Sequence, residues 1–102
     1  MEINKILKTE ESRKNFLIGL VFLSRVDGVK ESEKIFFKNA ATALEIGDEA
    51  QNEINLSWTR EDMPELRFED KKAALFFIMQ AIQLSNIDNS YTLWIIQNVY
   101  RT

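Results

Sequence analysis

Four carboxylates in this chain are placed where they could hold a cation. Asp27, Glu31 and Glu33 fall within the stretch V-D-G-V-K-E-S-E-K, and Asp88 follows a second apolar run, 61 residues after Asp27. Gathered at the mouth of a helix hairpin, they would offer the hard oxygen donors that suit Ca²⁺, Mg²⁺ or Mn²⁺. The same acids also have a structural use. Asp27 can close the end of one helix, and Glu31 can face the positive end of the next, worth roughly 0.3–1 kcal/mol. Glu33 can reach back to a free N–H as in a capping box. Capping is the favoured reading, because a strong Ca²⁺ site supplies six or more oxygens. An EF-hand loop is not matched either. Counted from Asp27, the third position is Val29 and the sixth is Ser32, where the loop wants an oxygen ligand and glycine.

Other chemistry is narrowed by what the chain lacks. It has no Cys and no His, which removes disulfides, the usual zinc sites and the Ser-His and Cys-His nucleophile arrangements. No glycine-rich phosphate loop is present. A carboxylate pair could do acid–base work only in a cleft that perturbs a pKa, and no pattern here demands one, so a non-enzymatic protein is expected. Binding would fall to large apolar side chains. Trp58 ends a polar helix beside a connector, and Trp94 and Tyr100 lie on the last helix, where an apolar face would suit a protein partner or a second copy of the chain. Against this stands the packing use of such residues, which in a small chain fill gaps around the core.

The elements that must position these residues are helices. Gly counts 3 and Pro 1 in 102 residues, while 45% of the chain is apolar, which favours long helices over many short strands. Residues 3–8 make a short amphipathic start. A helix capped by Thr9 or Ser12 follows, greasy on almost every side from Phe16 to Val26, and so central and buried. Asp27-Gly28 stops it, because glycine accepts the left-handed conformation that closes helices. An amphipathic helix over about 30–44 presents Ile35, Phe36, Ala40, Ala43 and Leu44 as its apolar face. After the Gly47-Asp48 break, a mostly polar helix over 48–57 turns Ile54, Leu56 and Trp58 inward. Residues 59–68 hold the one proline and form a connector, with Glu61, Asp62, Glu65, Glu69 and Asp70 read as a solvated acidic stretch that opens the next helix. That helix, about 69–87, is again apolar on nearly every face. A break at 86–90 leads to a last helix near 90–100.

Residues 16–28 and 77–89 align with one another. Phe, Leu, Ser and Asp coincide at 16/77, 23/84, 24/85 and 27/88. Each copy is a buried helix, an Asp-bearing turn and an amphipathic helix. The expected fold is therefore all-α: a single domain over 1–102, a compact bundle of about five to six helices with two central buried ones, and a pseudo-twofold repeat of helix hairpins.

A buried helix running into D-G-x-x-x-x-E, then an amphipathic helix ending in A-T-A-L-E-I-G-D-E-A, resembles the TerB-like family of all-helical bacterial domains, named after the tellurite-resistance protein. Asp27, Gly28 and Glu33 fall on the family's acid, glycine and acid, and Leu44 to Gly47 fall on its later turn. The likeness covers residues 12–50 well and 70–100 more loosely. In the second half Asp88 keeps the acid, but Asn89 replaces the glycine and Trp94 stands where the second acid would be. The resemblance implies a mostly non-enzymatic role associated with stress response, membrane-linked metal-ion sensing and phage defence.

The net charge is −3 without a basic stripe or tail, so nucleic acid is not an expected partner. The longest apolar run, from Phe16 to Leu23, is far short of the roughly 20 residues that span a bilayer. The first residues carry acids and no long apolar region, so no secretory signal is expected and cytoplasm is the default.

Overall fold

In a computed structural model, residues 3–25, 28, 30–62 and 64–85 are described. All regular structure among them is helical: α1 (Ile3–Ile6), α2 (Glu10–Ser24), α3 (Glu31–Ala43), α4 (Asp48–Leu56) and α5 (Lys71–Ser85). Four of these are full helices and α1 is a single turn. The expected last helix, near 90–100, lies outside the described residues. No helix among them is long and apolar enough to cross a membrane.

α2 is the hub, packing against α3, α4 and α5. Its start is set by Thr9, whose hydroxyl accepts the Ser12 N–H at 3.1 Å, with Glu10 and Glu11 in the first turn. Its apolar run is buried as expected: Phe16, Leu17, Ile18, Val21, Phe22 and Leu23 are all less than a tenth exposed. Each such side chain contributes roughly 1.5–3 kcal/mol through removal from water. Beyond the end of α2, Gly28 takes the expected left-handed conformation, at φ 99°, and its N–H donates to Arg25 O at 3.0 Å.

α5 lies across α2 through aromatic rings. Phe77 is fully buried, edge-on to Phe16 at 6.0 Å and stacked on Phe68 at 5.4 Å. Gly19 makes this approach possible, because a Cβ there would stand 2.4 Å from the Phe77 ring. α5 is apolar on nearly every face, as expected, but it is not buried on every side. Ala73, Ala74, Phe77, Ile78 and Ala81 are buried, whereas Leu75, Met79 and Ile82 are exposed. Asp70 opens the helix by accepting the Ala73 N–H at 2.8 Å.

α3 and α4 depart from expectation in register. α3 buries Phe37 and Ala41, while Ile35 and Phe36 are 57% and 66% exposed. Three consecutive apolar residues allow either face to be chosen. The choice falls on Phe37 because its ring meets Trp58 edge-on at 5.5 Å. In α4, Ala50 and Ile54 turn inward and Leu56 is exposed. The turn between α3 and α4 is closed by Glu45, not by Gly47. Glu45 takes φ 59°, its N–H meets Thr42 O, and Ile46 N–H meets Ala41 O, both at 3.0 Å. This is the Schellman arrangement, with a non-glycine residue in the left-handed position.

Candidate functional site

The expected cation ligands are not gathered among the described residues. Glu31 is exposed and 3.8 Å from Lys34, a surface pair of little energetic consequence. Glu33 is half-buried, and its backbone N–H donates to Lys30 O at 3.1 Å. Lys30, the residue before α3, makes no side-chain cap. Two positions apart on a helix, Glu31 and Glu33 project from different sides and do not converge on one point. No three carboxylates are close enough to hold a metal among the described residues. Asp27 and Asp88 lie outside them.

Trp58 is 5% exposed. Its ring fills the space beside Phe37, so it packs the core and offers no free surface. Its indole N–H finds no partner. Trp94 and Tyr100 lie outside the described residues.

The structure instead places a cleft of about 460 Å³ between α2, α4 and residues 59–65 of the connector. Ile18 and Pro64 give it apolar walls, and Leu56, 57% exposed, stands at its edge. Charged side chains surround these: Glu11 and Lys14 from α2, Glu53 from α4, Arg60 and Glu65 from the connector. Lys14 and Glu53 pair across the cleft at 3.0 Å, with the lysine side chain only 18% exposed.

The connector wall is fastened at both ends by α2. At one end the Arg25 guanidinium, 4.8 Å above the Phe22 ring, donates to Ser57 O at 2.9 Å and Arg60 O at 2.6 Å. This puts a cation at the C-terminal end of α4, where the helix dipole favours one. At the other end the buried Asn15 amide donates to Arg67 O at 2.8 Å. Ser12 Oγ accepts the Glu69 N–H at 3.0 Å, and the Glu69 carboxylate accepts N–H groups of Lys8 and Thr9, the latter at 2.8 Å. Leu66 is buried between these points, with a methyl 3.0 Å from where a Gly19 Cβ would lie.

Ser12, Asn15 and Gly19 therefore form one seam of α2, at steps of three and four residues, that seats backbone and close-packed rings. Only Gly19 was conspicuous in the sequence, as a break in the apolar run, whereas Ser12 and Asn15 stand among Glu10, Glu11, Arg13 and Lys14 in the polar first half of α2. A buried Ser and Asn need hydrogen-bond partners, and the nearest available ones are the backbone groups of an irregular segment. Glu69, expected in a solvated stretch, has its carboxylate committed to the turn before α2. Glu10 works similarly, its carboxylate accepting the Gly47 N–H at 2.8 Å.

With neither imidazole nor thiol in the chain, the cleft can offer ion pairing, amide hydrogen bonds and apolar contact. No family model, curated protein or solved structure matches the chain.

Proposed function

We propose that this protein is a non-catalytic, TerB-like helical domain that works by binding, and that the cleft between α2, α4 and the connector is where it binds. The observation that carries this reading is the fastening of residues 60–67 at both ends, by Arg25 and Asn15. A wall fixed before a ligand arrives spares the cost of ordering it, and preformed clefts with apolar walls and a few polar groups are the usual form of binding sites. The test is two-dimensional NMR of the labelled protein against a library of short peptides and small polar molecules. Binders should move the amide resonances of Ile18, Leu56 and Thr59. Binders that leave these three unmoved while shifting other surfaces, or a library without binders, would overturn the assignment of the site.

The wider TerB-like reading includes a role in stress response in the cytoplasm and a bundle completed by a helix near 90–100. Its pseudo-twofold is supported by the contact of Phe16 with Phe77, since residues near such an axis meet their own counterparts. A divalent ion, Ca²⁺, Mg²⁺ or Mn²⁺, drawn from the candidate ligands Asp27, Glu31, Glu33 and Asp88, with one of the two glutamates at a time, is supported by the D-G-x-x-x-x-E pattern and the left-handed Gly28. A rise in melting temperature with millimolar ion, lost in Asp27→Asn, would bear it out, and no rise would remove it. The alternative is an interaction module or homodimer without metal. It draws on the exposed pair Ile35 and Phe36, besides Trp94 and Tyr100. A monomer in sedimentation at all practical concentrations would count against the dimer.

A further inference from the structure

We infer that the cleft takes a basic, partly apolar peptide segment: an aliphatic side chain flanked by lysine or arginine. The inference rests on the reading of the cleft as the binding site and assigns its ligand class. The apolar requirement comes from Leu56. It is 57% exposed on a mostly polar helix, and it lines the cleft together with the buried Ile18 and with Pro64. An aliphatic side chain entering there would cover Leu56 and remove apolar surface from water on both partners.

The charge requirement comes from the rim. Glu11, Glu53 and Glu65 line the cleft, and the exposed Glu61 and Asp62 follow Arg60 in sequence without lining it. Against them stand Lys14 and Arg60 in the lining. Lys14 is already matched by Glu53 at 3.0 Å and is the least exposed partner of any ion pair among the described residues. With that pair matched, Glu11 and Glu65 stand against Arg60, so the lining keeps one more carboxylate than cation. Glu65 has Arg67 at 3.2 Å, but both side chains are more than half exposed. Such surface pairs exchange partners at little cost. An acidic peptide or a nucleic acid would meet like charge here, and a simple polyamine would leave Leu56 uncovered. Asn15 adds an amide whose orientation is set by its bond to Arg67 O, so a peptide backbone would meet a fixed polar group.

The probes are two capped peptides of equal length, with leucine at alternate positions and either lysine or glutamate between. Each is titrated into the intact protein and followed by two-dimensional NMR. The lysine peptide should shift Ile18, Leu56 and Glu65, and its affinity should fall as salt is raised. Charge reversal in Glu11→Lys and Glu65→Lys should weaken it at least about fivefold each, because rim charges steer and hold a charged partner. Leu56→Ser should weaken it while leaving the salt dependence unchanged. All three positions are exposed, and preserved spectral dispersion would verify that each variant folds. If the glutamate peptide occupies the cleft as well as the lysine peptide or better, the basic class is overturned while the binding site stands. If the lysine peptide shifts only resonances around Ile35 and Phe36, or shifts nothing, the inference is overturned. The library screen then judges the site independently.

Discussion

Replacing Gly19 by alanine sets two effects of opposite sign against each other, and the structure decides which prevails. In an ordinary helix interior the change would stabilise by up to about 1 kcal/mol, because alanine is the better helix former. Here the new Cβ would stand 2.4 and 2.5 Å from two carbons of the Phe77 ring and 3.0 Å from a Leu66 methyl. Carbon–carbon contacts are favourable at about 3.5–4.0 Å, so the ring must retreat by about 1 Å. It has little room to do so, being fully buried between Phe16 and Phe68. Overpacking costs about 1–3 kcal/mol, and contacts of 2.4 and 2.5 Å on a ring held on both sides put this case at about 2–3 kcal/mol. After the helical gain is deducted, Gly19→Ala should destabilise by about 1–2 kcal/mol, a fall in melting temperature of roughly 5–15 °C for a chain of this size. Urea unfolding measures it directly. A Phe77→Leu substitution should cost less in the Gly19→Ala background than alone, with a coupling of at least about 0.5 kcal/mol. If Gly19→Ala is as stable as the parent or more so, the close approach of α2 and α5 at this point is wrong.

Three further outcomes are expected. Asn15→Ala leaves Arg67 O without its donor at a part-buried position; it should cost about 1–2 kcal/mol in urea unfolding and speed proteolytic cleavage within residues 59–67. Phe37→Ala should cost about 3–5 kcal/mol while Phe36→Ala changes stability by no more than about 0.5 kcal/mol, since one ring is 5% exposed and the other 66%; similar costs for the two would refute the register of α3. Glu45→Gly should raise stability by about 0.5–1 kcal/mol, because glycine relieves the left-handed backbone at φ 59°; a loss in thermal unfolding would contradict the turn described.

Helix boundaries were legible because their signals are local. Thr9 as a cap, Gly28 as a left-handed stop and Asp70 ahead of the fifth helix each act on backbone groups within a few residues, so neighbours in sequence suffice to read them. The central place of α2 was legible too, from a run with no polar side, although the similarly apolar α5 leaves Leu75, Met79 and Ile82 exposed. The faces of α3 and α4 were not. Ile35, Phe36 and Phe37 are equally apolar, and which of them turns inward depends on Trp58, a residue on another element. The exposure of Leu56 is the same kind of outcome.

The candidate site shows the division most clearly. By itself the sequence determined the helices, which are all the regular structure among the described residues, and removed imidazole and thiol chemistry. It also set carboxylates beside an Asp-Gly turn. Which polar groups would meet was settled only in three dimensions. Asn15 and Arg67 are 52 residues apart, Arg25 and Arg60 are 35 apart, and Glu69 reaches back across 60 residues to Thr9. Spacing along the chain says nothing about such pairs, because their partners are backbone groups that every residue carries. Each becomes a partner only when packing buries an Asn or aims an Arg at a carbonyl that would otherwise lose its hydrogen bond to water.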